Sequence, residues 1–220
     1  MGRSYYTLIA SLPGLPPTFE TDRSPISRPR LVERLEMLEE EHAKLIRKVR
    51  DFLAWDRETL DRTDDEFIAR YEEVVPPLTN SAVRTVVNDR MNMRTIASAI
   101  RRRRAGKGPG RGVGEFADHV NRHFQDVDFN LGGRFAWIAE FDAAFRAGRL
   151  VDAERVLFTE HWSHWSRAAE RHHFSFEAVV FYLARWTLVD RWTSHDADRG
   201  RERFEALIQD CMGEYAELYS

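Results

Sequence analysis

The stretch that decides the fold is residues 176–189, FEAVVFYLARWTLV. Its apolar side chains recur every three or four residues, as on one face of a helix, and others lie on the remaining faces. The first set is Phe176, Val179, Val180, Leu183, Trp186 and Val189, and the second is Phe181, Tyr182 and Leu188. A helix that is apolar on most sides is stable in the centre of a protein. The stretch therefore predicts the central helix of an all-α fold.

Helical periodicity also predicts the elements around this stretch. Apolar residues at alternating spacings of four and three predict one long helix from Leu31 to Phe52, with His42 in its stripe. The capping box TDDE at 63–66 predicts a short helix that ends before Pro76. The other predicted helices are 82–104, 115–124, 132–145, 152–172, one capped by Ser175, and a last one carrying Phe204, Leu207, Ile208, Cys211, Tyr215 and Leu218. We expect a compact all-α domain of about eight helices that spans 1–220 as a single domain.

Composition narrows the class of protein. The 33 basic and 36 acidic residues leave a net charge of -3, which excludes a uniformly cationic nucleic-acid binder and a long acidic tail. The one cysteine, Cys211, can form neither an internal disulfide nor a thiolate metal cage, and its place in an apolar stripe predicts burial. The start lacks a signal sequence, and no run of about 18 apolar residues occurs. We therefore expect a cytoplasmic protein.

The strongest local charge surrounds a glycine-rich stretch at 105–114. A nucleotide-binding P-loop needs a glycine and a hydroxyl residue where this sequence has Arg101 and Gly108, so the stretch does not predict a phosphate cradle. We interpret 105–114 as a flexible basic loop. The cations in and before it predict a patch that binds an acidic or anionic partner: Arg101, Arg102, Arg103, Arg104, Lys107 and Arg111.

Histidines at helical spacings raise the question of a metal or haem site. The two Glu-x-x-His pairs are Glu39 with His42 and Glu170 with His173. Di-iron bundles use this spacing with all ligands pointing inwards, but Glu39 flanks an apolar stripe and His173 ends its helix. The segment HWSHW at 161–165 is typical of a core or an interface, and Ser163 lacks the sharp turn around a nucleophile. We predict no cofactor, no metal and no catalytic residue.

Four stretches together resemble a known family. They are residues 4–13 (SYYTLIASLP), 91–104 (an asparagine followed by basic residues), 128–131 (DFNL) and 174–204 (beginning FSFEAVVFYLARW). They closely resemble, in the same order, a small bacterial family of unknown function whose genes lie in V-type (A/V-type) ATPase operons. In the third stretch, Asn130 stands where the family's Asp-Phe-Gly-Leu motif has glycine. The resemblance covers most of the chain and is weakest between Leu53 and Pro77.

The operon position implies a counterpart of the central-stalk subunit, called C in archaeal-type enzymes and d in the eukaryotic one. That subunit is the helical socket that joins the rotor shaft to the membrane ring, and this chain would be a shortened version of it. Asp89-x-x-Asn92, with Arg101 and Gly106 downstream, is similar to a pattern on a buried helix of those subunits. The resemblance thereby implies structural roles for Asp89, Asn92, Asp128, Trp186 and Trp192.

The resemblance leads us to expect a non-catalytic subunit or assembly factor of a bacterial V-type rotary ATPase, and not an enzyme by itself. Its partners would be the central shaft and the membrane ring, with neither nucleic acid nor a small-molecule substrate. It would associate peripherally with the membrane through the complex. Two alternatives stay open: a helical adaptor or nucleic-acid-binding protein that uses the basic 101–111 patch, and a helical metal or redox enzyme.

Overall fold

The computed structural model describes residues 4–55 and 64–194, and the regular elements in these two ranges are helices. They are α1 (Tyr6–Ser11), α2 (Arg28–Leu35), α3 (Glu40–Trp55), α4 (Asp64–Val74), α5 (Ser81–Arg104), α6 (Ala117–Arg122), α7 (Trp137–Arg146), α8 (Leu150–Ala169) and α9 (176–194). The prediction of an all-α fold is confirmed. The predicted last helix, with Cys211, lies outside the described residues.

The predicted helix from Leu31 to Phe52 is divided into α2 and α3 by a turn at 36–39. Three backbone N–H groups in this turn donate to carbonyls three residues earlier, at 3.0–3.3 Å, so the α-helical pattern stops there. The two halves pack against different neighbours, because Leu31 lies with Trp186 whereas Leu38 belongs to the largest core cluster. The prediction of one unbroken helix is therefore wrong.

Tyr5 fixes the start of α3. Its hydroxyl accepts the N–H of Glu39 at 3.5 Å and hydrogen-bonds to Nδ1 of His42. The His42 ring also stacks on Phe176 of α9, with ring centroids 3.8 Å apart. His42 is thus a packing residue, which accounts for a histidine in the apolar stripe.

The longest described helix, α5, connects two core clusters. It begins at Ser81, one residue before the predicted start, and the side chain of Asn80 accepts the N–H of Val83 at 3.1 Å. Val87 lies in the first cluster, and Ile96 and Ile100 lie in the second, and all three side chains are fully buried. Because both cores share this helix, its side chains reach residues from many parts of the chain.

The predicted central helix corresponds to α9. Ser175 caps it, since Oγ accepts the N–H of Ala178 at 3.4 Å. Val179 and Val189 are fully buried in the first core cluster. Upstream, α4 ends at Val74, before Pro76 as predicted.

A helix that crosses a membrane must be both long and apolar. The two longest described helices, α5 and α8, have 24 and 20 residues and carry charged side chains on several turns. Among the described residues, no helix combines the length with the apolar content needed to cross a bilayer.

Candidate functional site

Arg103, one of the predicted partner-binding cations, is bound within the protein. Its guanidinium donates to the backbone carbonyls of Phe124 at 3.1 Å and Val127 at 2.8 Å. It also lies over the ring of Phe129, 4.6 Å from the centroid. These contacts fasten the end of α5 to the segment after α6. Binding of a partner by Arg103 stays a prediction.

Arg104 is held in a similar way by a buried carboxylate. Its Nε donates to Oδ1 of Asp142 at 2.9 Å, and Asp142 is only 6% exposed. Arg146 donates to the other carboxylate oxygen at 2.7 Å. Arg104 thus joins α5 to α7, and binding of a partner by Arg104 stays a prediction.

The remaining cations form a smaller surface, which we call the basic end and define as Arg101, Arg102 and Lys107. Arg101 and Lys107 are exposed, and half-buried Arg102 donates from Nε to the carbonyl of Gly108 at 2.9 Å. No carboxylate among the described residues forms an ion pair with any of the three. Arg111, by contrast, pairs with Asp65. The basic end therefore carries three positive charges at the end of α5 that no described carboxylate compensates.

The second half of the glycine-rich stretch lies against α5. Thr95 donates from Oγ1 to the carbonyl of Val113 at 2.7 Å and accepts the N–H of Val113 at 3.1 Å. A Cβ on Gly112 would lie 2.4 Å from the Thr95 side chain, and one on Gly114 would lie 2.5 Å from Oδ1 of Asn92. These two glycines allow the close approach, and Gly114 also has φ of +96°. Flexibility of the whole 105–114 loop stays a prediction.

Asn92 is buried, at 8% exposure, as the pattern Asp89-x-x-Asn92 implied. No described residue donates a hydrogen bond to its Oδ1. The oxygen instead faces the backbone of Gly114. The position thus depends on the absence of a side chain on Gly114.

Asp128 organises the turn at 128–132. Its Oδ1 accepts the N–H of Asn130 at 2.9 Å, and its Oδ2 accepts the N–H of Gly132 at 3.1 Å. Phe129 and Asn130 both have φ of +55°. Asparagine tolerates this left-handed backbone better than most residues, so Asn130 can stand where the resembling pattern has glycine.

The two tryptophans singled out in α9 pack in different places. Trp186 is 6% exposed, and its Nε1 donates to the carbonyl of Ile26 at 3.0 Å. Trp192 packs edge-to-face with Phe19, with centroids 5.2 Å apart. Both anchor the chain before α2 to α9.

Asp89 joins α5 to α8. Its Oδ2 accepts Nε1–H of Trp165 at 2.9 Å and lies 2.9 Å from Nδ1 of His164. The hydrogen bond to Asp89 raises the pKa of His164 above its ordinary value, because the carboxylate stabilises the protonated ring. Asp89 thus places a charged hydrogen-bond acceptor between the two helices.

A cavity of about 220 Å³ lies next to this pair, between α5, α8 and α9. We call it the arginine cavity. Its ionisable lining residues are Arg90, Arg94, Glu154, His161 and Arg191. Arg191 pairs with Glu154 at 2.5 Å. The described lining therefore contains three arginines and one carboxylate.

Each arginine of the cavity rests on an aromatic ring. The pairs are Arg90 on Trp165 at 5.4 Å from the centroid, Arg94 on Phe67 at 3.7 Å, and Arg191 on Phe158 at 5.5 Å. A guanidinium over a ring is attracted by the π electrons and loses rotational freedom. The three cations are thus held in defined positions around the cavity.

His161 completes the lining. It is 8% exposed and stacks on Trp165, with centroids 4.4 Å apart and planes 11° from parallel. Burial lowers the pKa of His161 well below its ordinary value, and the charges of Arg90 and His164 lower it further. The ring is therefore neutral at pH 7. Of the two locations that the HWSHW segment favoured, a core or an interface, the structure shows the core, since Trp165 is fully buried.

The two Glu-x-x-His pairs of the sequence do not come together to form a metal site in the described part of the chain. His42 is engaged by Tyr5 and Phe176, and α8 ends before Glu170 and His173. Among the described residues, no three His, Cys, Asp or Glu side chains form a group that could hold a metal ion.

Residues 20–214 match the profile of a family described as "Protein of unknown function (DUF2764)". The chain belongs to the DUF2764 family. The matched range contains α2 to α9, and hence both the basic end and the arginine cavity of this DUF2764 member. No curated protein and no solved structure matches the chain.

Sequence reasoning missed the arginine cavity of this DUF2764 protein. One signal was present, because Arg90 and Arg94 are four residues apart on a helix whose buried side is mostly apolar. Arg191 and Glu154 come from two other helices. Only the packing of α5 against α8 and α9 brings these charges together.

Proposed function

We propose that this DUF2764 protein is a non-catalytic subunit or assembly factor of a bacterial V-type rotary ATPase, linking the central rotor shaft to the membrane ring. The resemblance of four stretches to a family encoded in V-type ATPase operons supports this role. An all-helical body with two cores joined by one helix suits a part that must stay rigid under torque.

The observation that carries the proposal is the basic end. Arginine and lysine stay charged at neutral pH, and these three cations stand on a protein of net charge -3. Arg103 and Arg104 anchor the helix end that presents them. A rigid cationic surface of this kind suits docking to an acidic face of a shaft or ring subunit.

In this role the protein is cytoplasmic and reaches the membrane only through the complex. It transmits torque or guides assembly, while partner subunits bind and hydrolyse ATP. A second candidate function uses the same surface: a helical adaptor or nucleic-acid-binding protein would bind phosphates through the basic end.

The test is affinity purification of the full chain from native membranes, followed by identification of the co-purifying chains. In one variant, Arg101, Arg102 and Lys107 are all changed to Gln. In the matched control, three exposed cations of α3, Arg47, Lys48 and Arg50, are changed to Gln, which alters the net charge equally.

The wild type and the control are expected to retain ATPase subunits, and the basic-end variant to lose them. Association of the wild type should also weaken as salt rises, because exposed charges are screened over about 8 Å at physiological ionic strength. Equal binding by all three proteins would refute the basic end as the interface. Recovery of nucleic acid without ATPase chains would establish the second candidate instead.

A further inference from the structure

Two exposed aromatic side chains meet where α1 begins. Of the described Phe, Tyr and Trp side chains, Tyr6 and Phe174 are the most exposed, at 61% and 41%. Their rings contact each other, with centroids 4.6 Å apart. Single exposed apolar side chains are common on protein surfaces, whereas clustered aromatic side chains are typical of interfaces between proteins. We call Tyr6 and Phe174 the aromatic pair.

The backbone holds the aromatic pair in place. The carbonyl of Phe174 accepts the N–H of buried Tyr5. Phe174 has φ of +42°, a left-handed conformation that an aromatic residue rarely adopts. Residues in such conformations persist only where their surroundings fix them, and they cluster at functional sites. The ring of Phe174 is therefore presented to solvent by a fixed and strained turn.

The aromatic pair and the basic end lie at opposite ends of α5. Asn80, which caps the start of α5, donates from Nδ2 to Oε1 of Glu177 at 2.8 Å. Glu177 comes three residues after Phe174, in the first turn of α9. The basic end lies at the other end of α5, which has 24 residues and is therefore about 36 Å long. Because α5 runs through both core clusters, it holds the two surfaces apart.

The two ends also differ in charge. Residues 36–41, EMLEEE, contain four glutamates and no basic residue. This stretch adjoins the aromatic pair, because the hydroxyl of Tyr5 accepts the N–H of Glu39. Glu36 and Glu41 are exposed, and neither forms an ion pair with a described residue. The exposed charges in the turn before α9, one glutamate and one arginine, offset each other. The aromatic pair therefore lies beside an acidic surface, opposite in sign to the basic end.

We propose that the aromatic pair is a second docking surface, which binds a different partner subunit from the one that the basic end binds. This inference rests on the proposed function, because a protein that links the shaft to the ring must contact both. The partner surface that fits presents an apolar side chain beside lysine or arginine, which the glutamates and the aromatic rings attract. The basic end repels such a surface, so the opposite charges keep the two partners from exchanging places.

Two contacts made by one rigid body also bind the intact complex far more tightly than either contact alone. Loss of either surface should therefore release the chain from the assembled ATPase, and only the separated partners show which surface binds which.

The test is calorimetric titration of the full chain with the purified shaft subunit and, separately, with the purified membrane ring. In the aromatic variant, Tyr6→Gln removes one ring, and Phe174→Asn removes the other while suiting the left-handed backbone. Binding of one partner is expected to weaken about tenfold or more, and binding of the other to stay unchanged. The basic-end variant should show the reverse.

Two controls and one measurement separate docking from folding. Leu150→Gln removes an apolar side chain of α8 that is 62% exposed, and it should bind both partners. Tyr6→Phe keeps the ring and should also bind both. The melting temperatures of the aromatic variant and the wild type should agree within about 4 °C, because substitutions of exposed side chains change stability little.

Unchanged binding of both partners by the aromatic variant would overturn this inference and leave the proposed function standing. Loss of the same partner in both variants would also overturn it, because one partner would then use both surfaces. If the wild type bound neither partner, the proposed function would fail and this inference with it. Sedimentation of the purified wild type is the last arm, since the oppositely charged ends also suit contact between copies. Concentration-dependent association that either variant abolishes would identify a second copy of this chain as the occupant and overturn the assignment to another subunit.

Discussion

Arg104 at the end of α5 forms an ion pair with Asp142 in α7, which lies 38 positions further along the chain. The carboxylate is almost fully buried, and Arg146 pairs with its second oxygen. A buried carboxylate is stable only when it is paired and hydrogen-bonded. The pair therefore fixes the end of α5 against α7, and with it the direction in which the basic end faces.

Replacing Arg104 by Ala is expected to lower the free energy of unfolding by about 1–3 kcal/mol, because a buried carboxylate loses a charged hydrogen-bond donor. The loss stays below the roughly 3–5 kcal/mol of a fully broken buried pair, since Arg146 still contacts Asp142. Urea unfolding followed by circular dichroism measures the change.

Arg101→Ala serves as the control for this prediction. Arg101 lies one turn earlier on α5 and is exposed, so its removal should change the free energy of unfolding by no more than about 0.5 kcal/mol. Equal effects of the two substitutions would mean that the contact with Asp142 does not stabilise the fold.

Replacing Gly112 by Ala tests whether the glycine-rich stretch is docked on α5. The added Cβ would come within 2.4 Å of the side chain of Thr95, which is 5% exposed. Overpacking of this kind costs about 1–3 kcal/mol. Thermal or urea unfolding of the variant gives the cost.

The matched substitution is Gly108→Ala in the same stretch. No atom lies within 4 Å of a Cβ at that position, so this change should be neutral or stabilise the fold by up to about 1 kcal/mol. If Gly112→Ala were equally harmless, the stretch would be detached from α5 in solution.

Purified protein is expected to show no ATP hydrolysis. Residues 101–108 do not match a P-loop, because Arg101 stands where the motif requires glycine and Gly108 stands where it requires Ser or Thr. Phosphate release is measured on protein freed of contaminating ATPases. Turnover that persists after purification and disappears in Lys107→Ala would contradict the prediction.

Local patterns were sufficient to predict several elements of the fold. The extent of α5 follows from its apolar spacing, and the start of α9 follows from Ser175. These signals depend on residues within a few turns of one another. The helix propensity and capping of each segment therefore determined them without knowledge of the tertiary structure.

Contacts between distant residues account for what the sequence could not predict. The break between α2 and α3 depends on Tyr5, whose hydroxyl binds the N–H of Glu39. Which arginines of the run at 101–104 are engaged within the fold depends on Asp142, which binds Arg104, and on the carbonyls near Val127, which bind Arg103. Charge alone identified the run, but only packing separates the structural arginines from the basic end.

The last prediction concerns the hydrogen bond between Asp89 and His164. This bond raises the pKa of His164 in the folded protein above the value of about 6.5 in the unfolded chain. The folded state therefore holds the proton more tightly. The resulting stability is fully present below about pH 6.5 and is lost as pH rises through the folded-state pKa.

His164→Gln should therefore lower the free energy of unfolding more at pH 5.5 than at pH 8.5, by roughly 0.5–1 kcal/mol, because His164 is half exposed and solvent screens the pair. Buried His161 has the opposite pH dependence. Because the charge of His164 lowers the pKa of His161 further, removing that charge offsets part of the expected difference. His173→Gln, an exposed histidine, is the control and should show no such dependence. A penalty for His164→Gln that is equal at both pH values, or larger at pH 8.5, would show that Asp89 does not stabilise the protonated ring.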